Sequence, residues 1–141
     1  MLISHIRQVA IASAIGVLGL GSLAGSAPAE TSGTPRVIQI IADKDNTFKV
    51  PGESKPVITL QQGETVTLRI TSHFGGEKSR DNYVHSFVVK KLRDEGWDLR
   101  LKEGTEDFTV TAPKTPGEYL AECTVKCGRG HDDMNMKVVV R

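Results

Sequence analysis

Residues 36–141 break into short runs of β-branched and aromatic residues, each closed by a turn signal, with no sustained helical period. The runs are "RVIQIIA" (36–42), "PVITL" (56–60), "ETVTLRIT" (64–71), "YVHSFVVK" (83–90), "EDFTVTA" (106–112), "GEYLAEC" (117–123) and "MKVVVR" (136–141). "QQG" (61–63), "FGGEKSRDN" (74–82) and "APKTPG" (112–117) separate them with the residue types that turns require. This pattern constrains the fold most. Strands of five to eight residues with apolar residues on alternate positions bury those faces only by stacking sheet on sheet. The expectation is an all-β chain, a two-sheet β-sandwich. The one place for a short helical turn is "VVKKLRDEGWDLRL" (88–101), and the longest expected loop runs from Ser72 to Asn82.

The first 29 residues read differently. "MLISHIRQ" carries one arginine, an uncharged run of small and apolar residues follows, and Ala27-Pro28-Ala29 has the small-x-small form of a signal-peptidase site. Residues 1–29 are therefore expected to be a secretory signal cleaved before Glu30. The competing reading is an uncleaved anchor, because Val9 to Ala27 has 19 residues and is long enough to span a bilayer. No cysteine follows the run, which argues against a lipoprotein anchor. Residues 30–141 are then a single small domain. Arg7 is the only charged residue in 1–29, so the remaining 112 carry 17 basic and 17 acidic residues. A balance near zero, with no basic stripe, argues against nucleic-acid binding.

Export to an oxidising compartment would ordinarily make two cysteines a disulfide. The sequence around them asks for more. Both lie in "AECTVKCGRGHDDMNMKVVV" (121–140), which spells Cys123-x3-Cys127-x3-His131-x2-Met134. The four-residue spacing would line one face of a helix. Gly128 and Gly130 argue against a helix, and flanking strands place the segment on an inter-strand loop. Thiolate and thioether are soft donors that suit copper(I) or zinc, imidazole suits both, and a methionine shifts the balance towards copper. One more ligand has to come from elsewhere. His85 in "YVHSFVV" is the best candidate, and His73, in the glycine-rich loop, is a weaker one.

"YVHSFVV" followed some forty residues later by "CTVKCGRGHDDM" resembles the CuA domain of cytochrome c oxidase subunit II, a site also found in nitrous oxide reductase. The resemblance covers nearly all of residues 30–141, including "QQGETVTLRIT" and "PGEYLAEC". It implies a cupredoxin-like Greek-key β-sandwich of about seven or eight strands. It also implies two coppers bridged by the sulfurs of Cys123 and Cys127, with His85 and His131 each binding one. Met134 and the backbone carbonyl of Val125 would be weak axial ligands. The implied role is electron transfer in the periplasm, with a c-type cytochrome and a terminal oxidase or reductase as partners. Membrane contact is expected only if residues 9–27 stay attached. Two features depart from the family. Val125 stands where subunit II usually has a glutamate that helps bind a second, non-redox metal. "IIADKDNTFKV" (40–50) has a single aromatic where the family is aromatic-rich. The resemblance therefore points to a stand-alone exported domain.

Two other readings use the same residues. One is a mononuclear blue-copper carrier built on His85, Cys127, His131 and Met134. The other is a copper chaperone or structural domain whose cysteines cycle between disulfide and copper(I). Enzyme function finds little support. The metal positions are filled by protein ligands, and no Ser-His-Asp set, phosphate-cradling loop or paired-carboxylate motif is present. Asp132 and Asp133 are expected to be a solvated loop face, Met136 and Trp97 to pack, and Lys126 and Arg129 to flank the loop.

Overall fold

A computed structural model describes residues 33–141; the expected signal segment and its cleavage site lie outside the described residues. The described chain has nine strands. They are β1 (Arg36–Ala42), β2 (Phe48–Lys49), β3 (Val57–Leu60), β4 (Thr65–Ser72), β5 (His85–Val89), β6 (Asp98–Leu101), β7 (Gly104–Thr111), β8 (Gly117–Glu122) and β9 (Asn135–Val140). Every run expected to be a strand is one. The two additions are β2, which pairs only Ile41–Ala42 with Phe48–Lys49, and β6, which lies inside the segment that also forms a 3₁₀ turn at Lys90–Glu95.

The strands form two sheets, in the order β2-β1-β4-β7 and β3-β9-β8-β5-β6. Only β1 with β4 and β3 with β9 pair in parallel, and every other pair is antiparallel. Period-two patterning fixes which face of each strand is buried. In β4 the buried residues are Val66, Leu68, Ile70 and Ser72, and in β9 they are Met136, Val138 and Val140. A one-residue slip in either strand would turn its whole apolar face to water, so the register is strongly specified. Between the sheets Phe48 meets Phe87 edge-on, with ring centroids 5.4 Å apart. Trp97, fully buried, donates its Nε1–H to the Thr111 carbonyl at 2.9 Å, which ties the segment before β6 to β7. Trp97 is thus a packing residue, as its sequence context indicates.

Strand β5 is the exception to alternation. All five of its residues are buried, including His85 and Ser86. It sits between β8 and β6, pairing with β6 from His85 to Val88 and with β8 only at Val88 and Val89. His85, Phe87 and Val89 share one face by strand periodicity, and Phe87 places that face between the sheets. The fold therefore delivers an imidazole to the interior at one end of the sandwich. Among the described residues no helix is long and apolar enough to cross a membrane.

Candidate metal centre

A ring nitrogen of His85 settles which face of the imidazole is available. Nε2 lies 2.8 Å from the His73 carbonyl, an acceptor, so Nε2 carries the proton and donates. The neutral ring's lone pair is then on Nδ1, which is buried and has no hydrogen-bond partner. Leaving such an atom unpaired costs about 1–3 kcal/mol. A histidine that donates one nitrogen to a carbonyl and leaves the other without a hydrogen-bond partner can serve as a metal ligand. Its potential ligand atom and the sulfurs of Cys123 and Cys127 all lie within 4.8 Å of one another.

The sulfurs come from the segment between β8 and β9. That segment is a loop, as its glycines indicate: Gly128 and Gly130 have φ of 123° and 92°, and only His131–Asp133 form a 3₁₀ turn. The Cys123 N–H donates to the Met134 carbonyl at 3.0 Å, closing the loop at its base. Inside it, Cys123 Sγ and Cys127 Sγ are 3.7 Å apart, well beyond bonding distance, and both cysteines are free and buried. The Val125 carbonyl lies 3.2 Å from Cys123 Sγ. Cys127 Sγ in turn lies 3.5 Å from His131 Nδ1 and 3.8 Å from Met134 Sδ. His131 is half-buried and the least covered of the five side-chain donors.

The electrostatics of the sulfur pair ask for a cation. Cys123 is pulled well below the ordinary thiol range, first by the hydrogen bond with Cys127 and then by contacts with His85 and the backbone. Cys127 is pushed up by that same hydrogen bond, then by burial and by the negative charge on Cys123. The pair gives up one proton readily and holds the other, because two thiolates this close in a dry site repel. A positive ion between them would release both protons and relieve that repulsion.

The structure thus brings together the side chains of His85, Cys123, Cys127, His131 and Met134, with the Val125 carbonyl beside them. His131 joins through Cys127, outside the tighter group of His85, Cys123 and Cys127. His73 is exposed and contributes its carbonyl. Met136 is buried in the core, and Asp132 and Asp133 are exposed. A depression of about 320 Å³ beside Lys90, Cys123, His131 and Met134 puts the centre just beneath the surface.

Three residues that frame the centre are invisible to sequence reading. Ser86 Oγ accepts the Thr124 N–H at 2.7 Å and lies 3.0 Å from Thr124 Oγ1, which fixes the cysteine segment against β5. Asn46, in the turn between β1 and β2, is 2% exposed and bonds to two other loops. Nothing in the sequence near Ser86, Thr124 or Asn46 marks them, because their partners are 29 to 83 residues away.

No known protein family and no curated protein matches the sequence. Solved structures do. One chain of a heme-copper terminal oxidase dimer aligns with a TM-score of 0.55 at 18% identity, over 75% of this chain and 65% of that one. The present chain thus spans less than two thirds of that oxidase chain. Auracyanin A, a "blue" copper protein from the green thermophilic photosynthetic bacterium Chloroflexus aurantiacus, aligns with a TM-score of 0.50 at 20% identity, over 77% of this chain and all of that one. The periplasmic domain of subunit II of cytochrome oxidase from Bradyrhizobium japonicum aligns with a TM-score of 0.49 at 14% identity, over 75% of this chain and 83% of that one. Identities this low speak to fold, and the fold is a cupredoxin-like β-sandwich, as the sequence resemblance implies. It has nine strands where about seven or eight are expected, because the two-residue β2 and the turn-flanked β6 are too short to stand out in the sequence.

Proposed function

We propose that this chain is a copper-binding electron-transfer protein with a dinuclear centre held by His85, Cys123, Cys127, His131 and Met134 and by the carbonyl of Val125. The observation that carries the reading is the sulfur pair. Two unlinked, buried thiols 3.7 Å apart, with a ring nitrogen of His85 within 4.8 Å of both and with His131 and Met134 beside Cys127, gather five side-chain donors around one sulfur pair. When bound, a pair of copper ions there would take up and give back one electron with the charge shared across both. The chain's own part is to hold the donors still and dry. Ser86 fixes the cysteine segment, His73 fixes the ring of His85, and burial of Cys127 and Met134 keeps water out. Little rearrangement on redox change is what fast electron transfer requires.

His131 is the donor nearest solvent, so the face around it is where a redox partner would approach. A c-type cytochrome and a terminal oxidase or reductase fit that role. The domain at residues 30–141 would work in the periplasm, after cleavage of residues 1–29 or tethered by residues 9–27. The protein itself is a carrier, with no open ligand position for a substrate.

The test is copper stoichiometry with an EPR spectrum on the purified domain, before and after Cys123→Ser. Two coppers per chain, a purple colour and a seven-line hyperfine pattern that Cys123→Ser abolishes are expected. One copper and a four-line pattern that survive Cys123→Ser would replace this reading with a mononuclear blue site. A colourless protein that takes up copper only after reduction would replace it with a chaperone.

A further inference from the structure

The turn between β1 and β2 touches both histidine-bearing segments through one side chain. Asn46 has φ of 57°, a left-handed conformation that asparagine adopts more readily than most residues. Its Nδ2 faces two carbonyls, Gly75 at 3.1 Å and Arg129 at 2.7 Å, which identifies that atom as the amide nitrogen and uses both of its hydrogens. Gly75 is two residues after His73, whose carbonyl fixes the ring of His85, and Arg129 is two residues before His131. One amide therefore spans the supports of both imidazoles.

The glycines on either side are cut to fit it. A Cβ on Gly75 would fall 1.8 Å from Asn46 Oδ1. One on Gly128 would meet the Gly75 carbonyl at 2.7 Å and Asn46 Nδ2 at 3.2 Å. Three chain segments meet here with no room for a side chain other than the asparagine. Asn46 Oδ1 is buried and unpaired among the described residues, a cost that an apolar residue would avoid. The turn itself does not need the side chain, since Asn46 N–H donates to Asp43 and Asp43 N–H to Thr47 at 2.9 and 3.0 Å.

We propose that Asn46 is a positioning residue, which holds the His73–His85 and Gly128–His131 segments in one fixed relation before any metal arrives. The proposal rests on the copper reading for its purpose, while the lock itself is a property of the metal-free chain.

Asn46→Gly is the direct variant, because glycine keeps the left-handed backbone and removes the side chain that carries the amide. In the metal-free full chain, amide hydrogen exchange at Gly75–Glu77 and at Gly128–His131 should speed up about 10-fold or more, with β4 and β5 unchanged. In the copper-loaded chain, release to a copper(I) chelator should rise about 10–100-fold, and the copper hyperfine pattern should change. Asn46→Asp keeps the side-chain shape but puts an acceptor opposite two carbonyls, and it should show the same two effects if the glycine variant folds poorly. Unchanged exchange in either segment, or unchanged copper release and spectrum, would overturn the proposal. A wild-type chain that takes up no copper would instead overturn the copper reading, and the metal-free exchange would still decide the lock.

Discussion

His85, near both sulfurs, and His131, beside Cys127 alone, approach the centre from very different ground. His85 is the first residue of a strand buried along its whole length, and it pairs with Leu101 of β6. Its ring is tied to a carbonyl, and its neighbours on the inner face, Phe87 and Val89, are core residues. His131 opens a three-residue turn just after two glycines of positive φ, is half-buried, and depends on hydrogen bonds within its own loop and a few from other loops. One half of the centre is thus secured by the cooperative stability of the sandwich. The other half is secured locally, by a loop, the kind of segment that as a rule opens at lower free energy than core strands. The difference separates what the fold guarantees from what loop contacts must supply.

Three substitutions test that division, beyond Cys123→Ser and Asn46→Gly. The largest effect is expected from Phe87→Ala on the strand side. It empties a fully buried site against Phe48 and should destabilise the metal-free protein by about 3–5 kcal/mol, read as a fall in the urea midpoint at constant slope. Exchange of the β5 amides should rise together with that of the whole core. Next is Gly128→Ala on the loop side. A side chain at φ of 123°, crowding the Gly75 carbonyl, should cost about 1–3 kcal/mol, with the change concentrated in residues 123–134. A loss spread evenly over both sheets would erase the proposed division.

The smallest effect comes from the far side of β1. Glu64 accepts from Arg36 Nε at 2.9 Å and from the Gln61 N–H at 2.8 Å, and these bonds, the Arg36 one foremost, hold its carboxyl below the usual value of 4.5. A lowered folded-state pKa contributes stability that is present above the unfolded value and is lost as pH falls through the folded value. Arg36 is half exposed, so solvent screens the pair. Glu64→Gln should therefore cost no more than about 1 kcal/mol at pH 7, and wild type and variant should converge as the pH drops below about 4. Exchange in the ligand loop should not respond. A response there would mean that the two ends of the sandwich are coupled.

Much of this was legible in the residues. Seven of the nine strands stand out because alternation and turn residues are local signals, whereas Phe48–Lys49 and Asp98–Leu101 become strands only by pairing with β1 and β5. The spacing of Cys123, Cys127, His131 and Met134 also reads directly, since one loop brings Cys123, His131 and Met134 each within contact of Cys127. His85 was found by its chemistry. Its availability was not, because that depends on which nitrogen the His73 carbonyl occupies.

The sequence by itself determined the β-rich, two-layer architecture and the kinds of donor at the centre, since hydrophobic period, turn chemistry and ligand softness belong to residues and their near neighbours. Only the tertiary structure decided that the sulfurs stand 3.7 Å apart without a bond, that Nδ1 of His85 is the free atom, and that Asn46 joins loops 29 and 83 residues distant. Contacts across such separations leave no periodic trace along the chain, and they arise only when the two sheets close and bring three loops together at one end.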